Sequence, residues 1–123
     1  MDQEDLVGRL MADMDADLLH FLQTKANSFV KWDLLRFFHE NPHTTDTAAN
    51  IARYAGRAVE TTEAGLIDLA REGVLSTTRL GEMTVYSLSN NPEIRNLLQR
   101  FVKASDDRDF RVKAVFHVIR SMR

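Results

Sequence analysis

Three short stretches decide the fold: Thr47-Ala-Ala-Asn-Ile-Ala-Arg-Tyr-Ala-Gly56, Leu66-Ile-Asp-Leu-Ala-Arg-Glu-Gly-Val-Leu75 and Tyr86-Ser-Leu88. In the first, Thr47 is a good N-cap for a short helix over 48–54, and Asn50 makes a weak capping box. Ala55-Gly56 breaks that helix, because glycine takes the left-handed C-cap without a steric cost. Ala48, Ile51 and Ala52 let this helix pack closely on the next one, which runs from about 59 to 72 and is expected to bury Val59, Leu66 and Leu69. Gly73 ends it and lets the chain reverse. The period then changes from helical to alternating, with Val, Thr and Tyr concentrated in 74–79 and 83–88. That pattern predicts two strands joined by a tight turn at Leu80-Gly81-Glu82, with Tyr86 and Leu88 closing the core.

Outward from this unit the sequence is helical on both sides. Residues 28–40 form a helix with Phe29, Trp32, Leu35 and Phe38 as its apolar side, widened by Leu34 and Phe37, and with Lys31, Asp33 and Arg36 left for solvent. Pro42 stops it. The opening segment reads as one amphipathic helix, since Val7, Met11, Met14, Leu18 and Phe21 recur at spacings of 4, 3, 4 and 3. After the strands, Asn91 caps and Pro92 starts a helix carrying Ile94, Leu97, Leu98, Phe101 and Val102 on one face. Ser105 is expected to cap a last helix over 106–122. Three regions result: an N-terminal helix in 1–25, a central domain in 26–90 and C-terminal helices in 91–123.

The chain has 123 residues, one ordinary domain's worth, with 44% hydrophobic and 28% charged residues, so intrinsic disorder is not expected. It has no cysteine, which removes disulfides, thiolate zinc sites and cysteine nucleophiles together. No uncharged run is long enough to span a bilayer, and the acidic start is unlike a signal peptide, so a soluble cytoplasmic protein without a membrane role is expected. The net charge of −2 gives no global basic field, but the charge is uneven. Residues 1–25 carry two basic and six acidic side chains, and residues 92–123 carry eight basic and four acidic ones.

The motifs quoted above resemble those of the winged helix-turn-helix superfamily of prokaryotic transcription regulators. Those proteins share a second helix of the type Thr-x-x-x-Ile-Ala-x-x-x-Gly and a third of the type Leu-x-x-Leu-x-x-x-Gly-Val. The resemblance covers about half of the chain and specifies the fold better than the family. It implies a mainly α architecture with a small β-hairpin, flanked by N- and C-terminal helices of the kind by which such regulators dimerise. It further implies a third helix that enters the DNA major groove while the hairpin wing touches the adjacent backbone. The groove-facing positions would be Glu60, Thr61, Glu63, Ala64 and Ile67, with Thr62 also reaching base edges. Arg53, Arg57 and Arg79 would dock on phosphates.

The third helix departs from that expectation in its charge. Base reading favours Arg, Lys, Asn and Gln, whereas this helix carries Glu60, Glu63, Asp68 and Glu72 against Arg71. Glutamate can accept a hydrogen bond from cytosine, so DNA stays open. An alternative is an interaction module that binds a basic protein partner through Ile67 and the acidic helix. The primary expectation is a homodimeric regulator on double-stranded DNA with two half-sites, without cofactor, metal or catalytic residues.

Other motifs carry weaker signals. His39-Glu40-Asn41-Pro42-His43 matches the zinc-peptidase pattern HExxH, but Pro42 interrupts the helix that this chemistry needs, and a solvated helix end is the simpler reading. The basic stretch Arg95, Arg100, Lys103, Arg108, Arg111, Lys113, Arg120 and Arg123 reads as facing the acidic N-terminal segment rather than nucleic acid. His117 lies in an apolar run and reads as an ordinary helix residue. There is no credible nucleophile and base, glycine-rich phosphate loop or metal cluster, so no enzyme is expected.

Overall fold

The computed structural model describes residues 14–122. They form six helices and a small three-stranded antiparallel sheet. The order is α1 (Ala16–Thr24), α2 (Phe29–Glu40), β1 (Thr45–Thr47), α3 (Ala48–Ala55), α4 (Val59–Arg71), β2 (Leu75–Leu80), β3 (Met83–Leu88), α5 (Pro92–Ala104) and α6 (Arg108–Ser121).

Local chemistry explains most boundaries. The Asp15 carboxylate accepts from the backbone N–H groups of Asp17 and Leu18 at 2.9 and 3.4 Å and starts α1. An opening helix running unbroken through Met14 and Leu18 is therefore corrected: Asp15 captures the N–H groups that start a new helix, while Val7 and Met11 lie outside the described residues. Ser28 caps α2 through the Lys31 N–H at 3.2 Å, and Thr47 caps α3 through the Asn50 N–H at 3.3 Å. Gly56 sits at φ 69°, the left-handed C-cap expected of it. The Asn91 side chain accepts from the Glu93 N–H at 2.9 Å and Pro92 opens α5.

The sheet has the order β1-β3-β2, so β1 lies beside β3 on the side away from β2. Thr45 pairs with Ser87, Asp46 with Tyr86 and Thr47 with Val85. In the hairpin Leu75 pairs with Leu88 and Leu80 with Met83, so Leu80 belongs to the strand and only Gly81-Glu82 turns the chain. The third strand, β1, is absent from the sequence expectation. It is three residues long and polar, so it shows no alternation.

The core gathers Phe21, Leu34, Phe38, Ile51, Leu66 and Leu98 from five helices. The Phe101 ring is central to one end of it, with centroids 5.2 Å from Phe21, 6.0 Å from Trp32 and 6.0 Å from Phe110. Trp32 donates its indole N–H to the Ala26 carbonyl. Tyr86 and Leu88 are buried, as expected of the residues that close this core. Gly65 sits where α4 meets α2: a Cβ there would lie 2.9 Å from Leu34 Cδ1.

Three local expectations are corrected. Lys31 is buried, because its ammonium reaches across to Asp68 at 3.2 Å and Asn27 Oδ1 at 3.0 Å. Val59 is 42% exposed, since it lines an open groove with Ile67 and Met83 instead of entering the core. Ser105 does not cap the last helix. Its hydroxyl donates back to the Phe101 carbonyl at 2.8 Å and closes α5, and α6 begins three residues later.

Candidate nucleic-acid interface

The site is built from α4, the turn before it, the outer side of α3 and the β2–β3 ribbon. α4 buries Thr62, Gly65, Leu66 and Leu69 on one stripe. Helical spacing then turns Glu60, Thr61, Glu63, Ala64 and Ile67 outward, and all five are exposed. Thr62 is the exception among the expected base readers. It is 0% exposed, lying one turn before Leu66 on the inner stripe, so its side chain cannot reach a base edge. Its Oγ1 is buried with no hydrogen-bond partner.

The three arginines differ in their freedom. Arg57 is committed: Nε and Nη2 both reach Asp33 Oδ2 at 2.6 Å, tying the turn before α4 to α2. Arg53 is exposed and donates to the Asn50 side chain at 3.1 Å on its own helix. Arg79 is exposed near the end of β2, opposite Thr84 in the register. The same face carries Glu60, Glu63 and Glu82, all exposed. Its charge is balanced rather than basic.

Between α4 and the ribbon lies a groove of about 410 Å³, lined among others by Val59, Glu63, Ile67, Glu82, Met83 and Tyr86. Burial, and then the nearby Glu63 carboxylate, raise the Tyr86 phenol above its ordinary value. At the edge of the face Asp46 ties β1 to α3. Its Oδ1 accepts from the Asn50 side chain and the Thr47 N–H, both at 2.8 Å. These bonds hold Asp46 below the usual carboxylate range, Asn50 contributing most. The sequence signal for this tie was slight: an Asp just before the capping Thr, with Asn four residues on.

The remaining motifs are dispersed. His39 lies in the last turn of α2, Asn41 is its C-cap and His43 stands beyond it, so the two histidines do not share a helix face. Among the described residues no group of three or more His, Asp or Glu could hold a metal ion. Arg100 meets Asp15 at 3.2 Å and Asp17 at 3.7 Å, so part of the basic C-terminal stretch does face the acidic N-terminal segment within one chain. Arg95 and Arg111 donate to backbone carbonyls, of Ser89 at 2.7 Å and Ser105 at 3.1 Å. His117 is half-buried, and burial followed by Arg120 holds its imidazole below its ordinary value. Among the described residues no helix is long and apolar enough to cross a membrane.

No family model matches the chain, and no curated protein matches it. Among solved structures, it is similar to a chain described as a possible transcriptional regulator from Methanosarcina mazei Go1, at 19% identity and a TM-score of 0.40. That match covers 88% of this chain and 82% of the other.

Proposed function

We propose that the chain is a winged helix-turn-helix transcription regulator that binds double-stranded DNA, with α3 and α4 as the helix-turn-helix and β2–β3 as the wing. One observation carries the reading: the outward stripe of α4, Glu60, Thr61, Glu63, Ala64 and Ile67, is exposed beside a ribbon whose strand β2 is exposed from Ser76 to Leu80. A helix and ribbon in that relation fit the major groove and the flanking backbone. Arg53 and Arg79 supply phosphate contacts, Thr61 and Glu63 face base edges, and Ile67 offers apolar contact with a thymine methyl. Arg57 holds the turn through Asp33 and reaches a phosphate only by giving up that bond. A homodimer paired through the flanking helices would set two half-sites about one helical turn apart.

A second reading, a docking surface for a basic protein segment, is favoured by the exposed apolar trio Val59, Ile67 and Met83 beside Glu60, Glu63 and Glu82. Titration of duplex genomic fragments by gel shift, at several salt concentrations, separates the two. The DNA reading expects binding that weakens with salt, and Arg53→Ala plus Arg79→Ala should reduce the slope of log K against log[salt] by about 2. No shift at low salt, or an unchanged slope in the variant, counts against it.

A further inference from the structure

The last helix is apolar on two sides. Its inner side, Phe110, Ala114 and Val118 at spacings of four, packs on the core: Ala114 and Val118 are buried and the Phe110 ring meets Phe101. Its outer side carries Val112, Val115, Ile119 and Met122 at spacings of 3, 4 and 3. Val112 and Ile119 are each 43% exposed and Met122 is 70% exposed. Val112, Val115, Phe116 and Ile119 line an open groove of about 310 Å³ with Arg108 and Arg111 at one end. The inner side is covered by the core and the outer side is left open, and a contiguous exposed apolar face marks a binding surface.

We propose that residues 2–13 of the same chain, which lie outside the described residues, dock on this outer face of α6. Three observations select that occupant. The first is chemistry. The segment carries Leu6, Val7, Leu10 and Met11 with Asp2, Glu4, Asp5 and Asp13 against Arg9, so it is apolar and acidic, whereas the groove is apolar and ends in two arginines. The second is position. Arg100 holds Asp15 at 3.2 Å, Arg100 adjoins Phe101, and the Phe101 ring packs on Phe110 at the start of α6. Asp15, the residue that follows Met14, is thus held against α5, the helix that precedes α6 in the chain. The third is reach: twelve residues extend to about 40 Å at most, against about 21 Å for a 14-residue helix.

The same charges disfavour the other occupants. A second copy's α6 laid on this face would bring further Arg and Lys side chains to a basic helix. The groove beside α4 is acidic and would repel the segment. The proposal does not depend on DNA binding or on dimerisation.

The chain has no cysteine, so engineered pairs report cleanly. In the full chain, Val7→Cys, Leu10→Cys and Met11→Cys are each combined with Val115→Cys, and separately with Thr77→Cys on the exposed ribbon as control. Under mild oxidation, at least one Val115→Cys pair should close an intramolecular disulfide, seen as a monomer by mass, about tenfold faster than its control. High salt or an added Arg108→Glu should slow it, since the charges are screened or reversed. A predominantly intermolecular disulfide would assign the groove to a second copy. Rates equal to the controls at all three positions would mean that the segment does not dock. Either result overturns the proposal.

Discussion

Replacing Thr62 by Val should make the protein more stable. Thr62 is 0% exposed and its hydroxyl oxygen has no hydrogen-bond partner. An unpaired buried hydroxyl costs about 1–3 kcal/mol, and valine puts a methyl group where the hydroxyl stood. The inner stripe of α4 then gains apolar contact with no change in branching, so stability should rise by at least about 1 kcal/mol. For a chain of 123 residues the unfolding entropy is near 0.26 kcal/mol/K, which makes that a rise of about 4 °C in Tm. Thr62→Ser is the matching control: it keeps the hydroxyl and loses the methyl, and should lower stability by about 1 kcal/mol. Urea and thermal unfolding followed by circular dichroism give both values. A Val variant less stable than the parent would show that the hydroxyl is satisfied and refute the reasoning. The same variant should leave DNA affinity unchanged, because the side chain does not reach the surface.

Other outcomes follow from the same packing and charges. Gly65→Ala adds helix propensity worth up to about 1 kcal/mol, but its Cβ would meet Leu34 Cδ1 at 2.9 Å. Leu34 is fully buried, so moving its methyl group displaces packed neighbours; overpacking of about 1–3 kcal/mol should win and Tm should fall, whereas a higher Tm would mean that the Leu34 side chain yields easily. Asp68→Asn removes the negative charge that faces the buried Lys31 ammonium and leaves it with neutral amide oxygens alone, and should cost about 1 kcal/mol by urea unfolding, less in high salt; no loss would mean the pair is solvated. His117 is held below its unfolded value, so its contribution is present above about pH 6.5 and is lost as pH falls through the lower folded value. His117→Gln should flatten the decline in stability between about pH 7 and 5, and an unchanged profile would exclude that imidazole as its source.

The helical frame was legible because its signals are local and redundant. Thr47, Gly56, Asn91 and Pro92 mark boundaries through capping chemistry that acts within three residues, and the structure uses each in that role. β1 was not legible, because a three-residue polar strand acquires its structure from β3 and has no period of its own. Ser105 and Asp15 failed for a shared reason. A polar side chain near a helix end can cap the following helix or bond to its own turn, and the surrounding packing decides which. The candidate face was legible only in part. The resemblance placed Glu60, Glu63 and Ile67 outward and all three are exposed, but Thr62 stands beside Thr61 in sequence and a helix turns about 100° per residue, enough to hide it. The burial of Lys31 and the Arg57–Asp33 tie depend on partners 37 and 24 residues away, which no local pattern announces.

The central claim, that the exposed stripe of α4 and the ribbon beside it form the DNA-binding surface, is tested most directly by backbone NMR of the labelled protein titrated with duplex DNA. The account predicts shift changes concentrated at residues 53, 60–67 and 79–84, with those of α6 unmoved. Saturating changes confined to α6, or no change anywhere at low salt, would contradict it.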